Sequence, residues 1–175
     1  MDSKHILLKL VLDEIQPGDI NVEQFRFRKE LQKKIYLVQI TGIDLGHRYN
    51  WYFHGPYCPG LADDLFALKD ELEYDEQYKS YKLNPQASRK VKKAEKLAQV
   101  PSDVTMDNVE WVELLASLHY LKHIAYWSGK GDPEFNEVFE KLVKSKPHFK
   151  GKRQAAETAW GQLDQAGLVR NKTVG

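Results

Sequence analysis

The sequence predicts a mainly α-helical protein with a short two-stranded β-ribbon. Two observations lead to this class. Apolar residues recur at helical spacing in most segments, as Leu61, Leu65 and Leu68 do. Residues 48–54 (RYNWYFH) and 78–83 (YKSYKL), which are rich in aromatic side chains, instead indicate strands. With 175 residues, 42% of them hydrophobic and 29% charged, the chain can form one substantial core, or one small domain with a helical extension.

The first two helices are delimited by turn residues. The first is predicted at residues 3–15 and ends before Pro17-Gly18. The second is predicted at residues 24–41, with Gly42 as the residue just after its C-cap.

Two further helices in this half begin with a proline. Pro59 occupies the first helical position of a helix over about residues 60–72, where its missing N–H costs nothing. Asn84-Pro85 forms a cap and a first turn for a helix over residues 86–99. If the strands at 48–54 and 78–83 pair, they form the ribbon of a winged-helix-like N-terminal core.

The C-terminal half is predicted to be helical. Residues 100–106 form a short linker, and Asp107 with Glu110 resembles a capping box before a strongly apolar helix. Asp132-Pro133 begins another helix, and the last helix, residues 152–166, stops at Gly167. We therefore divide the chain into a winged-helix-like unit at 1–100 and a helical extension at 101–175, which packs on the first unit or is continuous with it.

Charge is distributed in zones along the chain although the net charge is only +1. Residues 26–34 and 89–96 are basic, whereas residues 63–76 are acidic. The overall balance favours neither nucleic acid nor an anionic membrane as partner, so the local zones are more informative.

Targeting and redox features favour a cytoplasmic protein. No apolar run reaches the roughly 18 residues that a membrane span requires. The N-terminal apolar residues are interrupted by Lys9, Asp13 and Glu14, unlike those of a signal peptide. The single cysteine cannot form an intramolecular disulfide, which fits a reducing compartment.

Residues 51–59 (WYFHGPYCP) concentrate the chemically distinctive side chains. His47, His54 and Cys58 could supply three metal ligands. Structural zinc sites, however, use paired ligands at close spacing, and this chain has one cysteine and no second pair. We therefore expect histidines that are hydrogen-bonded within the fold, and neither metal nor cofactor.

Cys58 is also a candidate nucleophile. It precedes a predicted helix N-terminus, where the helix dipole lowers a thiol pKa, and His54 is close enough in sequence to act as a base. The same position is the N-cap, and the acids Asp63 and Asp64 in the following turns oppose thiolate formation. A structural cysteine is therefore favoured over a cysteine-dependent hydrolase, and we expect no enzymatic activity.

Nucleic-acid binding is the main alternative to protein binding. In a helix-turn-helix module the helix at 60–72 would enter the major groove, but its polar face is acidic and phosphates would repel it. Binding through the two basic segments would instead place six cations on phosphates: Arg26, Lys29, Lys33, Arg89, Lys90 and Lys93.

The segment from Arg28 to Leu65 resembles a group of small bacterial and archaeal proteins. Their pattern is an L-Q-K-x-x-Y-L helix followed by Y/F-x-x-x-G-P-Y-S-x-x-L, and the group includes the YwgA-like proteins and, more distantly, the SocA-like (Panacea) antitoxin domains. The matching residues here are Leu31, Gln32, Lys33, Tyr36, Leu37, Tyr52, Gly55, Pro56, Tyr57 and Leu61. Cys58 stands where these proteins have serine.

The resemblance implies a mainly helical protein without an established enzymatic activity. Relatives with a known role are antitoxins or adaptors, often from mobile-element or phage-defence loci. The expected function is therefore a protein-interaction or regulatory module, and a DNA-binding regulator is the alternative. In either case we expect the motif to be a structural joint formed by Tyr52, His54, Gly55, Pro56, Tyr57, Cys58 and Pro59.

Overall fold

Seven helices and one hairpin account for the regular structure of the residues that the computed structural model describes, which are 1–125 and 131–170. The helices are α1 (Ser3–Ile15), α2 (Phe25–Ile40), α3 (Pro59–Glu71), α4 (Pro85–Ala98), α5 (Asn108–His123), α6 (Phe135–Ser145) and α7 (Arg153–Gln165). The strands are β1 (Asn50–Tyr52) and β2 (Gly55–Tyr57). The prediction of a mainly α protein with a two-stranded ribbon is confirmed.

The helix ends follow the predicted capping residues closely. Cys58 is the N-cap of α3, with its Sγ accepting a hydrogen bond from the Leu61 N–H at 3.4 Å, and Pro59 is in the first turn. Asp107 caps α5 by accepting from the Glu110 N–H at 2.8 Å. Gly42 follows the C-cap of α2 with φ +107°, a left-handed conformation that favours glycine.

The ribbon is built from different residues than predicted. β1 pairs with the Gly-Pro-Tyr segment itself, in the antiparallel register Asn50 to Tyr57, Trp51 to Pro56 and Tyr52 to Gly55. Residues 78–83 were expected as the partner strand, and this prediction is wrong. They form a 3₁₀ turn at Gln77–Ser80 followed by irregular chain. A partner two residues away closes a far smaller loop than one about thirty residues away, so local pairing is favoured.

The start of α6 also differs from the prediction. Its N-cap is Glu134 rather than Asp132, and the Glu134 N–H donates to Glu137 Oε2 at 2.9 Å. The carboxylate of Asp132 is engaged elsewhere, with the ammonium of Lys122.

α5 is the central helix of the fold, and it is buried at Val109 and from Trp111 to Lys122. It packs against α2, α4, α6, α7 and the hairpin. A single hydrophobic cluster joins residues of both predicted units, including Leu31, Leu65, Trp111 and Phe139. Residues 126–130 and 171–175 of the predicted second unit lie outside the described residues. No helix among the described residues is both long and apolar enough to cross a membrane.

Candidate functional site

The Gly-Pro-Tyr corner is fastened to α2 by one glutamine. Gln32 is buried, its Nε2 donates to the Cys58 carbonyl at 2.8 Å, and its Oε1 accepts from the Cys58 N–H at 2.9 Å. The side-chain amide thus pairs with a backbone residue as a neighbouring strand would. Tyr49 adds a bond from its hydroxyl to the Gln32 carbonyl at 3.1 Å. These contacts hold the end of the hairpin and the start of α3 against α2.

Gly55 allows the hairpin to lie directly on α5. Its φ of +87° is left-handed, and a Cβ at this position would lie 2.6 Å from Ser117 Oγ and 3.6 Å from Glu113 Cγ. Glu113 and Ser117 are four residues apart, which places them on the same face of α5. Only a residue without a side chain fits between this face and the turn.

A group of buried polar side chains lies beneath the turn. We call Lys33, Glu113, Ser117 and Lys146 the Lys33 cluster. Among the described residues, Lys33 Nζ, Glu113 Oε1 and Ser117 Oγ are buried without a hydrogen-bond partner. Glu113 Oε1 lies 3.8 Å from Lys146 Nζ and 3.7 Å from Nε2 of His148. Unsatisfied buried polar atoms are rare in folded proteins, and several in one place mark this region as exceptional.

Burial controls the charge state of this cluster. The pKa of Lys33 is lowered to about 7, because the ammonium is removed from water and because Lys146 and Lys29 repel it, while Glu113 opposes the shift. The pKa of Lys146 is also lowered by burial. Lys146 Nζ donates to the Tyr52 carbonyl at 3.1 Å and to the Phe53 carbonyl, so this lysine secures the hairpin turn.

Aromatic side chains project around the same turn. We call Phe25, Tyr52 and Phe53 the aromatic corner; their exposed fractions are 57%, 44% and 84%. The ring of His54 lies between two of them, with centroids 5.5 Å from Phe25 and 4.8 Å from Phe53. The pKa of His54 is lowered, first by burial and then by the surrounding positive charges, of which Lys29 is the largest contributor.

The candidate catalytic and metal residues each contact different partners. Cys58 is buried and serves as the N-cap, whereas His54 packs against Phe25 and Phe53. His47 binds Asp64 Oδ2 at 2.7 Å through Nε2. No group of three potential ligands capable of holding a metal occurs among residues 1–125 and 131–170.

The candidate nucleic-acid residues differ in how exposed they are. Arg89 and Lys93 are exposed on α4, and Arg26 is exposed with its guanidinium 3.6 Å from Asp107. Lys33 is buried, and Lys90 Nζ donates to the Gly42 carbonyl at 3.0 Å. Lys29 is partly buried and lies over the Phe25 ring at 5.9 Å.

Sequence reasoning missed the part of the site that lies outside the motif. None of the following was predicted as a site residue: Glu113, Ser117, Lys146, Phe25 and Phe53. A usable signal existed for two of them, since Glu113 and Ser117 are polar residues at i and i+4 in an otherwise apolar helix. The exposure of Phe25 and Phe53 depends on the tertiary structure.

Comparison of the chain with protein-family models, with curated proteins and with solved structures finds no match in any of the three. The functional argument therefore depends on the geometry of the aromatic corner and of the Lys33 cluster.

Proposed function

We propose that this chain is a non-enzymatic protein-interaction module of antitoxin or adaptor type, with the aromatic corner as its contact surface. The observation that carries the proposal is the exposure of three aromatic side chains around one cavity, with Tyr52 and Phe53 on the hairpin and Phe25 at the start of α2. Exposed aromatic groups on a rigid support are typical of the residues that dominate protein-binding energy. The antitoxin or adaptor class itself is suggested by the motif resemblance.

The charges around the corner indicate the complementary surface. Arg26, Arg28 and Lys29 flank Phe25 on α2. Arg28 keeps its charge although Nη1 donates to the Val22 carbonyl at 2.5 Å, and Arg26 lies 3.6 Å from Asp107, so Arg28 and Lys29 contribute the positive charge nearest to Phe25. A partner with an apolar centre and acidic rim would match this surface.

Affinity purification from the native host tests the contact surface. We expect the wild-type chain to recover a stoichiometric protein partner, and the double variant Phe25→Ala/Phe53→Ala to lose it. Tyr74→Ala is the matched control, because Tyr74 is 77% exposed but follows the far end of α3, a helix of 13 residues that spans about 20 Å. Recovery of the same partner by all three proteins would contradict the proposal.

Co-expression separates an antitoxin from an adaptor. If the chain is an antitoxin, the recovered partner should arrest growth when expressed alone, and the wild-type chain should restore growth. Restoration by Phe25→Ala/Phe53→Ala at wild-type level would contradict a role for the corner in neutralisation. A partner that is harmless alone assigns the adaptor role.

A DNA-binding regulator is the second candidate, and the exposed face of α4 favours it. Arg89, Lys92, Lys93 and Lys96 are exposed, and none forms an ion pair within the described part of the chain. Free cations on one helix suit sequence-independent phosphate contacts. The acidic face of α3 argues against major-groove entry by that helix.

Charge reversal tests the DNA-binding candidate. Arg89→Glu/Lys93→Glu should weaken DNA binding at least tenfold and make it less salt-dependent, because two phosphate contacts are lost. Lys144→Glu/Lys150→Glu, at two exposed positions elsewhere, carries the same charge change as a control. No mobility shift at low salt, or equal effects of both double variants, would eliminate this function.

A further inference from the structure

A cavity of about 240 Å³ lies between α2 and the hairpin. Its walls include the aromatic rings of Phe25, Tyr52, Phe53 and Tyr57, together with Lys29 and Lys33. Lys33 lines the cavity but has 0% exposed surface, so its ammonium lies behind the wall and meets a ligand only when neighbouring side chains shift. The volume is below the roughly 300 Å³ at which typical small-molecule pockets begin, so the cavity suits one residue-sized group.

The charge around this cavity is unbalanced. No acidic residue lines it, whereas Lys29, Lys33 and Arg28 do. The guanidinium of Arg28 already binds two backbone carbonyls, those of Val22 and Glu23. The carboxylate within the Lys33 cluster, that of Glu113, has its Oε1 close to both Lys146 and His148. Lys33 therefore retains an unpartnered buried ammonium that an external anion would satisfy.

We propose that the cavity binds the C-terminal residue of the partner protein, with its carboxylate at Lys33 and Lys29 and its apolar side chain against the aromatic corner. This inference rests on the protein-interaction function proposed above and names the group that is recognised. A C-terminal aromatic or aliphatic residue carries an anion and an apolar body within one residue. Internal Asp and Glu side chains have the anion but lack the apolar body that aromatic walls favour.

A carboxylate fits the available donors better than a phosphate does. Phosphate sites generally combine several donors, such as an arginine fork or backbone N–H groups at a helix N-terminus. Here the arginine fork is engaged with carbonyls and the remaining donors are lysines. A single carboxylate paired with Lys33 matches these lysine donors.

Titration calorimetry and NMR with defined probes test the proposal. The probes are acetyl-Gly-Gly-Gly-Phe with a free C-terminus, the same peptide with a C-terminal amide, and 3-phenylpropionate. We expect the acid peptide to shift the amide signals of Phe53 and Gly55 and to bind at least tenfold more tightly than the amide. Equal binding of acid and amide, or no binding of either, would overturn the proposal.

Substitution of the buried lysine gives the decisive comparison. Lys33→Met keeps the length and apolar stem of the side chain, and should reduce binding of the acid peptide to the level of the amide. Lys144→Met, at an exposed position on α6, should bind as the wild type does. Undiminished binding by Lys33→Met would overturn the assignment. Binding of 3-phenylpropionate as tight as that of the acid peptide would assign the site to free aromatic acids and overturn the C-terminal assignment.

The dependence of binding on pH supplies an independent readout. The charged or titratable groups around Lys33 lie on four elements: Arg28 and Lys29 on α2, Glu113 on α5, His54 in the hairpin, and Lys146 and His148 at the 3₁₀ turn Pro147–Phe149. A bound carboxylate favours the protonated lysine, so the acid peptide should bind more tightly at pH 6 than at pH 9 and should take up a proton at pH 8. Affinity independent of pH in the wild type would count against Lys33 as the receptor.

The two proposals can fail separately. If Phe25→Ala/Phe53→Ala loses the protein partner but no peptide binds, the interaction surface stands and the C-terminal assignment falls. If the acid peptide binds through Lys33 but partner recovery is unaffected by the corner variants, the interaction function falls.

Discussion

Lys33 lowers the stability of the fold through its burial, and the same buried ammonium is the group that we propose binds a carboxylate. Its side chain lies in the core without a hydrogen-bond partner, which is costly for an ammonium group. Strongly shifted pKa values cluster at functional sites. The proposed carboxylate contact gives Lys33 a functional role.

Lys33→Met should stabilise the protein at pH 7. In the folded state the pKa of Lys33 is about 7, whereas its ordinary value is 10.5. Between these values the unfolded chain binds more protons, so the wild-type free energy of unfolding rises as pH increases from 7 to 10.5. The methionine variant lacks this dependence and should be roughly 1–4 kcal/mol more stable at pH 7. Urea unfolding at pH 7, 8.5 and 10 measures the stability difference at pH 7 and the pH dependence of the wild type. A Lys33→Met variant that is less stable than the wild type at pH 7 would contradict the prediction.

Gly55→Ala should destabilise the hairpin. The new Cβ would lie 2.6 Å from Ser117 Oγ at a φ of +87°, so both the backbone and the packing on α5 are strained. We expect a loss of roughly 1–3 kcal/mol in unfolding free energy. Gly151→Ala is the control, because a Cβ there meets nothing within 4 Å. Similar thermal midpoints for the two variants would contradict the prediction, because they would show that the hairpin and α5 move apart enough to accommodate a Cβ at position 55.

At the scale of elements, Gln32 couples α2 to the start of α3. Its amide forms two hydrogen bonds with the backbone of Cys58, at 2.8 and 2.9 Å. The N-cap of α3 is therefore held from outside the helix as well as by its own thiol. This arrangement compensates for cysteine, which is a weaker cap than serine or aspartate.

Gln32→Leu should weaken the attachment of the start of α3 to α2. Two buried backbone groups of Cys58 lose their partners, and each unsatisfied group costs roughly 1–3 kcal/mol. Amide hydrogen exchange at Cys58 and Leu61 should accelerate more than exchange in α5. Gln154→Leu, on the exposed part of α7, should leave both rates unchanged. Unaltered protection in Gln32→Leu would mean that water or another group replaces the amide.

At the scale of the whole molecule, α5 links both halves of the chain and carries its polar residues inside. Glu113 and Ser117 face the hairpin, and His119 Nδ1 lies 2.7 Å from the hydroxyl of Tyr36 on α2. The division at residue 100 therefore does not separate two cores, since the hydrophobic cluster is shared. Buried polar residues on a central helix make the stability of the fold sensitive to pH.

Acid should destabilise the protein in part through His119. Burial lowers its pKa from 6.5 to about 3, and nearby His123 adds to this shift. Between these values the unfolded chain binds the additional proton, so stability falls as pH decreases through this range, by up to roughly 1.4 kcal/mol per pH unit. His119→Asn should flatten the slope between pH 6 and 4 relative to the wild type. Parallel curves for the wild type and His119→Asn would contradict a buried neutral His119.

Local sequence determines the positions of the helices, because their signals lie within a few residues of each end. Cys58-Pro59, Asn84-Pro85 and Gly42 mark ends that the structure places within one residue of the prediction. The partner of β1 was misassigned because Gly55 and Pro56 are poor strand formers and indicate a turn, whereas loop closure favours pairing with this adjacent segment.

Only the tertiary structure determines what the motif residues do. Lys33 looks like one more cation in a basic segment, and its burial follows from the packing of α2 against α5 and the hairpin. Glu113, Ser117 and Lys146 meet the turn from positions 58 to 91 residues further along the chain, which no local pattern encodes. Local chemistry thus sets where each helix begins and ends, whereas contacts between distant residues create the cavity, its charge and the exposed aromatic corner.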